Sequence, residues 1–186
     1  MELVIAVTGA SGAILGVKFV ERSHKLGIKI NLIFSEWGEK TLRAESGEFP
    51  QNLVKDGVKL FDNNDLLAPF SSGSYPFDGM VIIPCSMNTL SKIAYGAADD
   101  LITRTASVAL KERRKLILVT RETPLSLIHL ENMVKVTRAG AVILPPVLTF
   151  YHFPKTIDDM VDYVIGKVLD QFNVKHDLFK RWNKRR

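Results

Sequence analysis

The chain has 186 residues, 46% of them hydrophobic and 24% charged, which is enough for one domain with a full core. The single cysteine excludes an internal disulfide framework and fits a reducing compartment. The net charge of +5 arises at the end of the chain, where Lys175, Lys180, Arg181, Lys184, Arg185 and Arg186 stand against one acid, Asp177. That basic tail is short and carries only Phe179 and Trp182 as aromatics, which argues against nucleic-acid binding. No apolar run approaches the ~18 residues of a membrane span. The chain enters a strand at once, so no secretory leader is expected and a cytoplasmic location follows. His24, His129, His152 and His176 show no metal-ligand spacing.

Leu3–Val7 is apolar on both faces and predicts a buried strand. It runs into the small-residue loop Thr8–Gly12, and a helix is expected over Ser11–Leu26, stopped by Gly27. Such a loop admits a ligand to the backbone, and the helix offers N–H groups to an anion; a plain tight connection is the alternative. Gly9, Ser11 and Ile14 occupy the G-x-G-x-x-G positions, so that fingerprint is absent, and there is no G-x-x-x-x-G-K-[ST] loop. Ile28–Phe34 predicts a second strand. Ser35 then either caps a helix over Glu36–Ala44 or points a hydroxyl at the same ligand as Ser11.

Residues Ser46–Tyr75 lack periodicity and predict loops, a short strand over Val58–Phe61 and a mobile Ser71–Ser74 segment. Phe77–Pro84 returns to a buried strand. Pro84-Cys-Ser-Met-Asn-Thr-Leu90 is a second strand-to-helix junction, where Ser86, Asn88 and Thr89 either cap a helix or meet a ligand. Cys85 reads as a small buried hydrophobe. After the turn Gly96–Asp100, a helix from Leu101 to about Arg113 puts Arg104, Ser107 and Lys111 on one polar face, either solvated or gripping a phosphate. Lys115–Thr120 predicts a strand that ends in Arg121-Glu122, a local ion pair or a site. A helix over Leu125–Thr137, a strand over Ala141–Leu144, the Pro145-Pro146 turn and the aromatic cluster Phe150–Pro154 follow. The last helix, Ile157–Phe172, carries Lys167 at the edge of its apolar stripe.

Strands and helices alternate, which predicts a three-layer α/β domain with a mainly parallel sheet. The single domain spans 1–174, and 175–186 form the basic tail that carries Trp182. Right-handed crossovers put the loops that follow the strands on one edge, where α/β sheets bind ligands. The edge collects Gly9–Ser11, Ser35, Ser86–Thr89 and Arg121–Glu122. This is a site for a phosphorylated cofactor that spacing alone does not name.

Thr8-Gly-Ala-Ser-Gly-Ala13, Pro84–Leu90, Gly96–Ala106, Leu110–Arg114, Arg121–Leu125 and Arg181-Trp182 stand in collinear order over nearly the whole chain. Together they resemble the UbiX-type flavin prenyltransferases. The resemblance implies a Rossmann-like, flavodoxin-like fold and reduced FMN as prenyl acceptor. It further implies dimethylallyl monophosphate as donor, no metal, and attachment of the prenyl group at flavin N5 and C6. A UbiD-type decarboxylase would receive the prenyl-FMN, and the enzyme would be a dodecamer with sites between subunits. The FMN contacts implied are Gly9, Ala10, Ser11, Ser35, Ser86, Met87, Asn88, Thr89, Arg121 and, for the phosphate, Arg104. The donor contacts implied are Lys111, Arg121, Glu122, Tyr151 and Lys167, with arginine common in the family at the last position. Ser11 and Glu45 match positions that manage protons near N5, and Trp182 would face an allylic cation. Two rivals remain: a phosphopantothenoylcysteine-type decarboxylase, which needs an early catalytic histidine where this chain offers His24, and a flavin carrier without catalysis.

Overall fold

The fold is laid out by six short apolar runs that pair side by side, all parallel. In the computed structural model, which describes residues 1–182, these are β1 (Glu2–Val7), β2 (Lys29–Phe34), β3 (Val58–Asp62), β4 (Gly79–Cys85), β5 (Lys115–Thr120) and β6 (Val142–Ile143), in the order β3-β2-β1-β4-β5-β6. Lys184, Arg185 and Arg186 of the expected basic tail lie outside the described residues. The chain divides into two compact units, Met1–Pro145 and a second that begins at Pro146.

The first unit holds the whole sheet. Its crossovers are α1 (Ala13–Lys25), α2 (Glu36–Ser46), α3 (Met87–Ala94), α4 (Leu101–Lys111) and α5 (Leu127–Arg138). β1 and β4 pair at the centre, Leu3 opposite Gly79 through Ala6 opposite Ile82. Both read as unbroken apolar runs because helices cover both faces of a parallel sheet. Val4, Ala6, Met80, Ile82, Leu116 and Leu118 form one core with Leu90, Ile93, Leu101, Ala106 and Val136 from the helices.

Local chemistry fixes where the helices begin. Ser35 accepts from the Gly38 N–H, Ser86 from Thr89 and Asp100 from Thr103, each satisfying a donor that the first turn leaves open. α1 differs, because its N-cap is Gly12 in the left-handed region, φ 94°, with no capping side chain of its own. The helix therefore starts at Ala13, two residues later than expected.

The Ser71–Ser74 segment is tied down rather than mobile. Arg104 Nε donates to the Ser71 carbonyl at 2.9 Å, and Arg114 donates to the carbonyls of Gly73 and Tyr75, both at 2.7 Å. Serine- and glycine-rich composition suggested freedom, but two distant arginines take up its carbonyls. No helix among the described residues is long and apolar enough to cross a membrane.

The second unit is built on α6 (Ile157–Gln171), capped by Thr156 in a capping box with Asp159. The segment after α6 folds back on it through His176, Phe179 and Arg181.

Candidate functional site at the carboxyl rim of the sheet

Four strand ends are stitched together at one rim. Ser35 N donates to the Val7 carbonyl at 3.0 Å and joins β2 to β1. Thr8 Oγ1 donates to the Pro84 carbonyl and accepts from Ser86 N, both at 2.8 Å, joining β1 to β4. Arg121 N donates to the Cys85 carbonyl at 3.2 Å and joins β5 to β4. The expected turns Gly9–Ser11, Ser35, Ser86–Thr89 and Arg121–Glu122 thus converge, as the crossover rule requires.

The rim is open. Gly9, Ser11, Asn88, Arg121 and Glu122 are exposed, and Ala10, Ser35, Ser86 and Met87 are half-buried. The Arg121 guanidinium and the Ser11 hydroxyl have no partner among the described residues. Glu122 Oε1 accepts from Thr123 N at 3.0 Å, so the carboxylate is held at the strand end beside Arg121. Cys85 is fully buried, and burial pushes its thiol up to about 12, which leaves it neutral and unreactive. Trp37, which no motif in the sequence marks, stands 66% exposed beside the Gly9 backbone. A rim aromatic at an ordinary helix position carries no periodic signal that would single it out.

One expected anion site is already filled. The Glu45 carboxylate on α2 accepts from Gly12 N at 3.0 and 3.1 Å and from Ala13 N at 3.0 Å. A carboxylate at a helix N-terminus meets both the open donors and the helix dipole. The anion that α1 receives is thus the protein's own, and it sits next to Ser11. The N-termini of α2 and α3 carry only their serine caps, so the N–H groups of Met87 and Asn88 remain open to a ligand.

A phosphorylated flavin fits this rim. Open helix N-termini suit its phosphate, small residues at Gly9–Ser11 admit a flat ring to the backbone, and serine and asparagine side chains supply polar edges.

Not every candidate residue shares the rim. Arg104, on the second turn of α4, is half-buried and gives one donor to Ser71. Lys111 ends α4 at the opposite edge, where β5 begins. Its ammonium pairs with Glu112 beside Gly73, close to the Arg114 contacts. A six-residue strand separates that edge from Arg121, about 17 Å at 3.3 Å per residue. His24 lies at the same far edge, its Nε2 2.8 Å from the Asp56 carbonyl just before β3. It therefore cannot serve the rim as a catalytic histidine.

Tyr151, Lys167 and Trp182 belong to the second unit. Tyr151 meets Trp182 edge to face at 5.5 Å and Tyr163 at 5.9 Å. Burial and a hydrogen bond with Tyr163 raise its phenol above the ordinary value, so it stays protonated as a donor. Lys167 Nζ lies 3.8 Å from Asp170. Both ring nitrogens of His152 are out of solvent and unpartnered among the described residues, with the ring stacked on Tyr163 at 5.2 Å.

The fold and the rim define a flavin-binding α/β protein, and the family model described as Flavoprotein matches residues 1–169. A flavin prenyltransferase UbiX from Halalkalibacterium halodurans is 46% identical over 192 residues, covering 98% of this chain and 93% of its own. A solved structure of AnUbiX (PadA1) in complex with FMN and dimethylallyl pyrophosphate is 48% identical, with TM-score 0.95 over 100% of this chain and 98% of that one. A dodecameric FMN-dependent UbiX-like decarboxylase from Escherichia coli O157:H7 is 42% identical, with TM-score 0.94 over 98% of this chain and 100% of that one. The chain belongs to the family of UbiX-type flavin prenyltransferases.

Proposed function

We propose that this protein transfers a dimethylallyl group from dimethylallyl monophosphate to N5 and C6 of reduced FMN, without a metal, and hands the prenyl-FMN to a UbiD-type decarboxylase. The observation that carries the reading is the stitching of β2, β1, β4 and β5 into one open rim of small residues, helix N-termini and an arginine unpaired among the described residues, in a chain 48% identical to a protein solved with FMN and a dimethylallyl ester. When bound, reduced FMN would supply the nucleophilic N5 and, one ring carbon further on, C6.

The residues have the following roles. Gly9, Ala10, Ser11, Ser35 and Ser86–Thr89 hold and orient the flavin, Arg121 balances its charge from the same rim, and Arg104, which lies off that rim beside Ser71, does so from a neighbouring copy. Losing an allylic phosphate concentrates negative charge on the leaving oxygens. Lys111, Arg121 and Lys167 stabilise that charge, and the Tyr151 hydroxyl donates to it. Glu122, fixed by the Thr123 N–H, orients the donor and accepts a proton late in the reaction. Ser11, beside the Glu45 carboxylate, carries a proton to or from N5. Trp182 faces the allylic group with its π-surface and excludes water.

Lys111 imposes an assembly. It lies a strand length from Arg121 in the same chain, so the Lys111 that serves a given rim comes from a neighbouring copy. This agrees with sites shared between subunits of a dodecamer, the state in the name of the E. coli relative.

The test is anaerobic incubation with reduced FMN and either dimethylallyl monophosphate or the diphosphate, with and without EDTA. The flavin is then extracted for mass spectrometry. A mass gain of one five-carbon prenyl unit, indifferent to EDTA, supports the proposal. Unaltered FMN refutes it and favours a carrier.

A further inference from the structure

The segment after α6 is fastened at three points, two on that helix and one on Tyr151 ahead of it, and the two on the helix are not explained by the chemistry assigned above. The first is a notch at Gly166, in the middle of α6. A Cβ there would come 2.5 Å from Phe179 Cε1 and 2.6 Å from His176 Cε1. A mid-helix glycine costs about 1 kcal/mol against alanine; here it makes the seat for two rings of the returning segment.

The second point is Asp170, on the last turn of α6. Its Oδ1 and Oδ2 accept from the two terminal nitrogens of Arg181 at 2.7 and 3.0 Å, a two-pronged pair. Oδ1 also lies 3.1 Å from His176 Nε2, which is 3.0 Å from the Gly166 carbonyl. Leu178 N donates to His176 Nδ1 at 3.3 Å, and the Arg181 guanidinium also lies 3.3 Å from Nε2, so the imidazole is held from both sides. The third point is the edge-to-face contact of Trp182 with Tyr151 at 5.5 Å.

The order of these contacts along the chain matters. His176 and Phe179 reach the notch, Arg181 reaches Asp170, and the next residue is Trp182. Trp182 is 71% exposed, so burial does not hold the indole in place. What fixes its approach to Tyr151 is the anchoring of its neighbour. The charge balance points the same way. Lys167 and Arg181, two cations, share the single carboxylate of Asp170, which leaves a positive surplus beside the Tyr151 hydroxyl that suits a phosphate ester.

We propose that Asp170 is a positioning residue for the prenyl donor: by clasping Arg181 it seats the returning segment on Gly166 and sets the Trp182–Tyr151 pair as the wall against which the donor's allyl chain lies. The clasp itself stands on the geometry of the second unit, and its consequence for the donor rests on the prenyltransferase reading. The carboxylate works at a distance, through Arg181, and touches neither flavin nor donor.

The test uses the full-length protein with Asp170→Asn, Arg181→Met, Arg181→Lys and the Asp170→Asn/Arg181→Met pair. Arg181 is exposed, so its variants fold even if Asp170→Asn does not. Trp37 and Trp182 are the only tryptophans, so a Trp37→Phe background reports Trp182 fluorescence and iodide quenching alone. The clasp predicts at least a two-fold rise in quenching for Asp170→Asn and Arg181→Met. It predicts a roughly ten-fold rise in KM for dimethylallyl monophosphate, with FMN affinity within two-fold of the parent. Arg181→Lys should recover part of the loss, and the pair should be no worse than either single change.

Unchanged quenching, unchanged donor KM or additive losses would overturn the clasp even if the parent transfers prenyl normally. If the parent transfers none, the prenyltransferase reading fails and takes the donor half of this proposal with it. The quenching series then still decides whether Asp170 places Trp182.

Discussion

The rim of the sheet and the segment returning over α6 are built on opposite principles. At the rim, main-chain groups and one buried hydroxyl join neighbouring strand ends, through Ser35 N, Thr8 Oγ1, Ser86 N and Arg121 N. Side chains hold the other region: a carboxylate, a guanidinium, an imidazole and a file of aromatic rings. Backbone stitching pre-organises a surface and tolerates little change, as a site that must hold a rigid tricyclic ring requires. Side-chain fastening lets an exposed indole be placed without burying it. The difference teaches that the proposed flavin seat comes with the fold, whereas the proposed donor wall is an addition that single substitutions can remove.

The largest effect expected falls on chemistry at the rim. Lys111→Ala or Glu122→Gln should retain FMN yet slow single-turnover prenyl transfer by about 10²–10³-fold, the scale of losing one charge-stabilising group. Mixing the two inactive proteins and letting subunits exchange should restore part of the activity, because some sites then combine an intact Glu122 with an intact Lys111. Mixtures as inactive as their parents would place both residues in one chain's site and break the argument from strand length.

A smaller effect is expected where α2 meets β1. Gly38 lies so close that a Cβ would strike the Val7 carbonyl. Gly38→Ala should therefore destabilise the fold by about 1–3 kcal/mol, the usual range for overpacking, and weaken FMN binding in proportion; denaturant melts and flavin titration check it. Trp182→Ala should do the reverse, slowing transfer about ten-fold while moving the melting temperature by less than about 2 °C. A large melting shift with normal transfer would mean that the indole is structural.

The smallest signal is an absence of reaction. Cys85, raised to about 12 by burial, should resist iodoacetamide at pH 9 in folded protein and react after denaturation. Its raised value makes its contribution to stability complete below the ordinary thiol value near 8.5. That contribution declines as pH rises toward 12, so the parent should lose stability across that window faster than Cys85→Ala. Fast alkylation of the folded protein would mean that the rim opens down to β4.

Much of the sheet was legible because parallel strands covered on both faces must be apolar throughout. Lys115–Thr120 reads directly as β5, and Leu3–Val7 misses only Glu2 of β1. The convergence of the turns was legible too, since crossover handedness leaves one edge for them. Three features were not. Glu45 fills the α1 terminus from 32 residues away along the chain, a pairing that no local pattern encodes. The distance from Lys111 to the rim depends on which end of α4 it occupies, and a polar-face reading ignores that. Gly166, an ordinary small residue in an apolar stripe, shows its purpose only when Phe179 and His176 lie on it.

The most direct test of the flavin seat is an experimentally determined structure of the protein with FMN bound. The account predicts the ring against Gly9–Ser11 and Ser86–Thr89 at the carboxyl rim, with Glu45 still holding the N–H groups of Gly12 and Ala13. A flavin at the opposite edge, among Arg113, Arg114 and Lys115, would contradict it.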